Sequence, residues 1–338
     1  MQLNPLSRKN IGKTVLPGLA VAAALSLLAL AFVPGLNTSG ETTRVAVHRG
    51  DSFSTIVAGL QRAGTIRLRW PVSLTGRLIG RLHHIKPGRY TIPPAMSSYQ
   101  LLAYMRGSSQ DEVRITIPEG LDLHRTAAIL ARELDIDSAS IVRAASDARL
   151  LRRHALTAEN AEGYLFPGTY NFVWAATPEE TVSFLIERCR AFCSDSLLQA
   201  AKAKGLTERE LLTLASIVEA ETPLDEEKPL VASVYLNRLK KGMRLQADPT
   251  VQYAIGESRR LYYRDLETDS PYNTYRVRGL PPGPICSPGA ASIMAATNPA
   301  RTNYLYFVAT GRGGHYFAST LSGHAANVRR YRSARSSR

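Results

Sequence analysis

Apolar residues recur along this chain with a period that changes from segment to segment. From Val15 to Leu36 there is no polar face, because no charged side chain interrupts the run and Leu19 to Val33 is almost wholly Ala, Leu and Val. At 1.5 Å per residue such a run is long enough to cross a bilayer core of roughly 30 Å. Residues Asn37 to Thr43 are polar and turn-forming, as a linker would be. A strand-like stretch, Arg44 to Val47, then meets Gly50-Asp51-Ser52, after which Phe53, Ile56, Val57 and Leu60 recur at helical spacing with Ser52 as N-cap. A second extended stretch, Arg89 to Ile92, follows Pro87-Gly88, and a short helix from Ser98 to Met105 ends at Gly107. Together these pieces predict a small α+β unit over 43–108.

The pattern partly returns seventy residues on: Arg44 to Gly50 aligns with Arg114 to Gly120, and Leu60 with Leu130. This is either a weak internal repeat or two generic strand-turn-helix units. From Thr177 onward the helix punctuation is clear. Thr177-Pro178-Glu179-Glu180 supplies an N-cap, a Pro at the first helical position and a capping-box Glu. Thr207-Glu208-Arg209-Glu210 does the same for a helix that carries Leu211 to Val218 and stops near Thr222, before Pro223. A further helix is predicted from about Glu226 to Lys241, with Pro229 in its first turn. Residues 243–289 are rich in Pro, Gly, Asn, Asp and Tyr and predict a long surface loop that builds a site. A helix from Ser287-Pro288 to Thr297, a hairpin of Tyr304–Thr310 with His315–Ser319, and a last helix from Leu321 into an Arg-rich tail complete the chain. The predicted class is α+β, with an N-terminal transmembrane helix, a small subdomain and a larger mixed α/β domain over 113–338.

Charge decides the sense of the apolar run. Arg8, Lys9 and Lys13 precede it, so residues 1–14 are expected in the cytoplasm, 15–36 in the membrane, and the rest outside. The competing expectation is a cleaved signal peptide, since Ala29-Leu30-Ala31 resembles a cleavage site, although the run exceeds an ordinary signal core. The formal net charge of +14 suits nucleic acid, anionic lipid or an acidic polymer. An exported chain argues against nucleic acid. Three cysteines exclude a disulfide framework, and no Cys and His spacing suggests zinc. Cys189 and Cys193 fall on one helix face, where packing is their simplest role.

Glu219 is the most informative acid. Its neighbours one turn back are Ala215 and Ser216, with Leu212 behind, so its carboxyl is expected beside a largely apolar stripe at a helix C-terminus. Desolvation there would favour the protonated form that a general acid needs, while the competing expectation is a solvent-facing Glu at a frayed end. Glu221 is expected to be exposed. Arg238, Lys240, Lys241 and Arg244 form a basic cluster beside the long loop. Within the loop, Gln246, Asp248, Tyr272, Asn273 and Tyr275 offer the amides, carboxylate and ring faces that carbohydrate uses, or else ordinary turn chemistry. His315 either binds a sugar hydroxyl or fixes the hairpin. No nucleophile triad, Walker motif or dinucleotide fingerprint is present.

Leu214-Ala-Ser-Ile-Val-Glu219-Ala-Glu-Thr222 resembles the signature of the endolytic murein transglycosylases, the MltG or YceG-like family. The resemblance continues through Glu162 to Tyr170, Val231 to Leu239, Gly242 to Thr250, Ser270 to Tyr275, Gly279 to Ile285 and Tyr304 to Val308, in order, and covers about Arg44 to Tyr331. It implies a single-pass inner-membrane protein with a periplasmic catalytic domain and a LysM-like subdomain over 43–108. It further implies cleavage of the β-1,4 bond between N-acetylmuramic acid and N-acetylglucosamine inside a glycan strand, leaving a 1,6-anhydro end. The family's catalytic glutamate falls on Glu219. Peptidoglycan strands are the implied partner, with peptidoglycan synthases as protein partners in terminating strands, and no cofactor is implied. Gln246, Asp248, Tyr272, Asn273 and His315 are the candidate substrate-binding residues.

The chain departs from the family's common forms at Gly168, where Asp is usual, at Ser287, where Asn is common, and at Gly323-His324-Ala325, where Glu-His-Asn is typical. A hydrolytic glycosidase uses two carboxyls, whereas the muramic C6 hydroxyl attacks within its own sugar, so one carboxyl can serve as acid and then as base. The alternatives are a hydrolytic muramidase, with Asp248 or Glu162 as second carboxyl, and a non-catalytic peptidoglycan-binding scaffold.

Overall fold

The structure, a computed structural model, describes the chain except for residues 1–18, 20, 27–28, 30–31, 80–84, 108–111 and 337–338. Much of the apolar run 15–36 and the whole predicted cytoplasmic tail 1–14 therefore lie outside the described residues. Residues 21–26 are helical, and among the described residues no helix is long and apolar enough to cross a membrane. The chain folds as two compact units, one formed by 1–113 with 171–175 and the other by 114–170 with 176–338.

In the first unit, β1 (Thr43–Val47) is followed by α1 (Phe53–Arg62), α2 (Arg69–Ile79), β2 (Gly88–Ile92) and α3 (Ser98–Gly107). β1 and β2 pair antiparallel with Val45 opposite Tyr90 and Val47 opposite Gly88. Strand alternation sends Val45, Val47, Tyr90 and Ile92 to one face, where they join Ile56, Leu60, Val72, Leu101 and Met105 in a common core. Ser52 caps α1 by accepting from the Thr55 N–H.

The second unit takes most of β3 (Glu112–Ile117), whose first two residues belong to the first, then α4 (Leu123–Leu134), α5 (Ser138–Ala145), α6 (Ala148–Arg153) and the start of β4 (Gly168–Val173), which pairs with β3 and ends in the first unit's 171–175. Then follow α7 (Pro178–Phe192), α8 (Asp195–Lys202), α9 (Glu208–Glu221), α10 (Lys228–Lys240), α11 (Asp248–Ile255), a 3₁₀ turn at Tyr263–Glu267, and α12 (Ala290–Thr297). The antiparallel hairpin of β5 (Tyr306–Ala309) and β6 (His315–Ala318) and the final helix α13 (Leu321–Ser336) end the chain. The strand-turn-helix pattern recurs as expected: β1 leads into α1 and β3 into α4, and Leu60 and Leu130 are both fully buried.

α9 is the axis of this unit. Leu211 to Val218 are buried without a break, so the helix has no solvent face over those residues, and it packs against α12, α10 and α11. Both predicted capping boxes form: Thr177 exchanges hydrogen bonds with Glu180, and Thr207 with Glu210. α9 ends where Pro223 requires it, with Thr222 extended at φ −144° and ψ 133°.

The stretch 243–289 is not a continuous loop. Asp248-Pro249, inside the expected loop, starts α11, because Pro fits the first turn of a helix and Gly256 at φ 69° ends it. The helix predicted from Ser287 begins three residues later, with Gly289 as its N-cap.

Candidate active site

Glu219 lies in the last turn of α9 with its side chain only 8% exposed. The apolar surroundings expected from helical spacing are replaced by donors. One carboxyl oxygen, Oε2, accepts from the Gly289 N–H at 2.9 Å and from the Ser292 hydroxyl at 2.6 Å. The Lys228 ammonium approaches both oxygens, at 3.3 and 3.4 Å. Gly289 is the N-cap of α12, so the carboxyl sits at the positive end of that helix. Helical spacing reports neighbours on the same helix, whereas every one of these partners comes from another segment.

Lys228, at the start of α10, is 2% exposed and is shared among three carboxyls. Asp225 lies 2.8 Å from its nitrogen, Glu219 3.3 Å and Glu119 3.9 Å. Burial opposes the ammonium, but the Asp225 hydrogen bond and the Glu219 charge outweigh it and hold Lys228 above the usual lysine range. Glu119 is pushed up, first by burial and then by the charge of Glu219. Its position is set by the backbone: the Gly120 N–H donates to the Ser287 carbonyl at 2.9 Å, and the Ser287 N–H to the Leu121 carbonyl at 2.8 Å. The Glu119 carboxyl then lies over Gly289, where any Cβ would fall 2.0 Å from it. A side chain there would push the Glu119 carboxyl aside. One ammonium against three carboxyls leaves the cluster with surplus negative charge, and the Asp225 charge adds to the upward push on Glu119.

Beside Glu219 opens a cavity of about 600 Å³. Gly120, whose added Cβ would touch Glu219 Cγ at 3.6 Å, and Ala220 form its near wall, and Glu162, Gln252 and Tyr253 stand in its lining. Glu162 is 5% exposed and accepts the Leu123 N–H of α4 on both oxygens, at 3.0 and 3.1 Å. Burial pushes it up to about 7 despite those donors. The segment carrying Ile285 and Cys286 is pinned to α9, since the Ile285 N–H donates to Ser216 Oγ at 3.0 Å.

The other predicted residues separate. Tyr272 packs on Tyr253 with ring centroids 4.8 Å apart, which ties it to this cavity. Gln246 and Asp248 line a smaller cavity of about 180 Å³ with Glu221, Tyr235, Arg238 and Tyr275. Gln246 holds φ 51°, uncommon for a residue with a side chain, and Asp248 accepts the Tyr275 hydroxyl at 2.5 Å. Glu221, expected to be exposed, accepts the Tyr235 hydroxyl at 2.5 Å, and burial pushes it up to about 7. Arg238, expected in an exposed basic cluster, is 8% exposed and donates to the Leu245 and Leu305 carbonyls. Asn273 is fully buried and does turn chemistry, donating to the Leu266 and Thr268 carbonyls and accepting from the Tyr275 N–H. His315 fixes the hairpin, with its N–H and Nδ1 both 2.7 Å from the Glu227 carboxyl.

Lys228, Glu119, Ser292 and Gly289 are the site residues that sequence reasoning missed. Glu119 stands in the Ile117-Pro-Glu-Gly120 stretch that the partial repeat had already marked, and Gly289 in the first turn of the helix predicted from Ser287. Neither signal by itself says that the two segments meet at Glu219.

Residues 45–330 match the YceG-like family. The chain belongs to that family. An endolytic murein transglycosylase of Bacillus subtilis (strain 168) is 32% identical over 314 residues, which cover 88% of this chain and 87% of that protein. One of Streptococcus pneumoniae serotype 2 is 31% identical over 321 residues, 84% of this chain but 57% of that longer protein. The crystal structure of a YceG-like protein from Listeria monocytogenes superimposes with a TM-score of 0.59 at 31% identity, covering 85% of this chain and 99% of that one. Within this YceG-like chain, Gly168 adopts φ 149° and a Cβ there would fall 2.9 Å from the Tyr170 hydroxyl, so this backbone favours glycine at that position.

Proposed function

We propose that this YceG-like protein is an endolytic lytic transglycosylase of peptidoglycan in which Glu219 is the catalytic acid and base. The observation that carries the assignment is the placement of Glu219: a nearly buried carboxyl, fixed by Gly289, Ser292 and Lys228, at the edge of a cavity large enough for sugar rings. In this reaction the protonated Glu219 gives its proton to the glycosidic oxygen as the bond to muramic C1 breaks. The muramic C6 hydroxyl then bonds to C1 and returns its proton to Glu219, closing the 1,6-anhydro ring without water. Glu219 needs a fixed position and two protonation states for this, and its fixed donors supply the first. Of the carboxyls that share Lys228, Glu119 is the one pushed up, by burial and by the charge of Glu219.

A second reading, hydrolysis, is favoured by one observation: Glu119 shares Lys228 with Glu219, so another carboxyl stands close by. The finer assignments belong to the same proposal. The run 15–36 anchors the chain in the inner membrane with the catalytic domain in the periplasm, the first unit acts as a LysM-like module, and strand cleavage ends elongation by partner synthases.

The test is mass spectrometry of products released from uncross-linked glycan strands by the full chain and by Glu219→Gln. Anhydro-muramic ends from the unaltered chain, with a loss on the order of 10² to 10⁴ in rate for a folded Glu219→Gln, are expected. Reducing ends would instead establish hydrolysis, and near-normal release of anhydro products by Glu219→Gln would remove Glu219 from the mechanism.

A further inference from the structure

We propose that the cavity beside Glu219 seats one acetamido sugar of the glycan, stacked on Tyr253 and held by the Glu162 carboxyl. This assignment rests on the glycan-cleaving function and adds to it a specific binding subsite.

Three geometric facts carry it. The cavity, about 600 Å³, is lined by both residues and runs to Gly120 and Ala220 at Glu219, so a ring seated there lies next to the bond under attack. The grip is rigid. Gly163 holds φ 80° and sits so close to Pro284 that a Cβ would fall 2.4 Å from it, which locks the Glu162 backbone against the segment pinned to α9. The Glu162 N–H is itself held by Asn160 Oδ1 at 3.0 Å. The wall is aromatic, because Tyr253 is backed by Tyr272 at 4.8 Å and its hydroxyl reaches toward Glu162 at 3.5 Å. A sugar ring presents an apolar face and a polar rim, and this wall meets both.

Chemistry adds a further consequence. Glu162 accepts the Leu123 N–H and the distant Tyr253 hydroxyl, and the Gly163 N–H also favours its charged form, yet burial outweighs these donors and pushes it up to about 7. Near neutral pH it is therefore partly a neutral acid, able to donate to the acetamido carbonyl or a ring hydroxyl. The ionisable groups around it are Asp122 at the cap of α4, His124 and Arg125 on α4, Tyr253 and Glu257 on and after α11, and Tyr272 and Cys286 on the loops. Of these the Asp122 charge acts in the same sense as burial.

The experiment is isothermal titration of the full chain carrying Glu219→Gln with chitotetraose, four β-1,4-linked N-acetylglucosamine units, at pH 6 and pH 8. If only the protonated Glu162 binds, affinity falls about tenfold between the two pH values. Adding Glu162→Gln, whose amide imitates the neutral acid, is expected to keep the pH 6 affinity and abolish the fall. Adding Tyr253→Ala is expected to weaken binding at least tenfold at pH 6, with circular dichroism confirming the fold. A pH dependence that survives Glu162→Gln, pH-independent binding by the parent, or binding indifferent to Tyr253→Ala would each overturn the assignment. The titration needs no turnover, so a chain that cleaves glycan but fails these tests loses only the subsite. One that passes them and releases no anhydro ends loses only the lyase reaction.

Discussion

Lys228 is the residue on which the charge balance of the site turns. A lysine 2% exposed persists only where carboxyls surround it, and here removing it would leave Glu219 nearly buried without its cation. Lys228→Met is therefore expected to destabilise the fold by about 3 kcal/mol in urea denaturation and to suppress cleavage. Lys228→Met combined with Glu219→Gln is expected to recover much of the stability, because the one nearly buried carboxylate is then gone, while Glu119 and Asp225 are open to solvent. A purely additive double variant would show that the two residues do not act as a pair. Glu162 makes a second residue-level prediction. Its folded value of about 7 lies above the ordinary 4.5, so between those values the folded chain binds more protons than the unfolded one. Stability then falls as pH rises through that window, by on the order of 3 kcal/mol from this group. Chemical denaturation of the unaltered chain and of Glu162→Gln at pH 4.5 and pH 7.5 tests this, with the variant expected to lose on the order of half of the slope, because Glu221, also pushed up to about 7, acts in the same window. The identity of Glu219 was legible from its motif, but its donors were not. They come from Lys228, Gly289 and Ser292, up to seventy-three positions away along the chain.

At the scale of elements, α9 shows which features local sequence rules can reach. Its start and stop were both legible, because a Thr and Glu three residues apart make a capping box and a residue before proline leaves the helix. Its central place in the unit follows from eight consecutive buried residues. α11 was missed because Asp248-Pro249 suits a turn and a helix start equally, and only the tertiary environment of Thr250 and Val251, both fully buried, selects the helix. The capping box also separates stability from chemistry. Thr207 stands at the far end of α9 from Glu219, so Thr207→Ala should cost about 1 kcal/mol of stability while leaving the cleavage rate per folded molecule unchanged. A fall in that rate with stability intact would mean that the helix N-terminus helps to aim Glu219.

For the molecule as a whole, the boundary between units is more entangled than the chain order suggests. The expected division placed the small subdomain over 43–108 and the catalytic domain over 113–338, yet 171–175 belongs by packing to the first unit. Trp174 explains why: it is 3% exposed, with the His48 ring 5.6 Å away and the Arg89 guanidinium 4.7 Å over its face. Both partners lie on or beside β1 and β2, far earlier in the chain, and no local pattern around Trp174 announces them. A cut at Val113 thus takes the cover from a large aromatic side chain that remains in the later fragment. The chain has two tryptophans, and the other, Trp70, leaves with the deleted segment. Fluorescence of 114–338 therefore reports Trp174 alone. A red-shifted emission and a lower urea midpoint than the full chain are expected, and a second fragment with Trp174→Ser should regain solubility without regaining stability. Blue emission from Trp174 in 114–338 would show instead that the later unit buries this residue by itself, and that the two units divide cleanly at Val113.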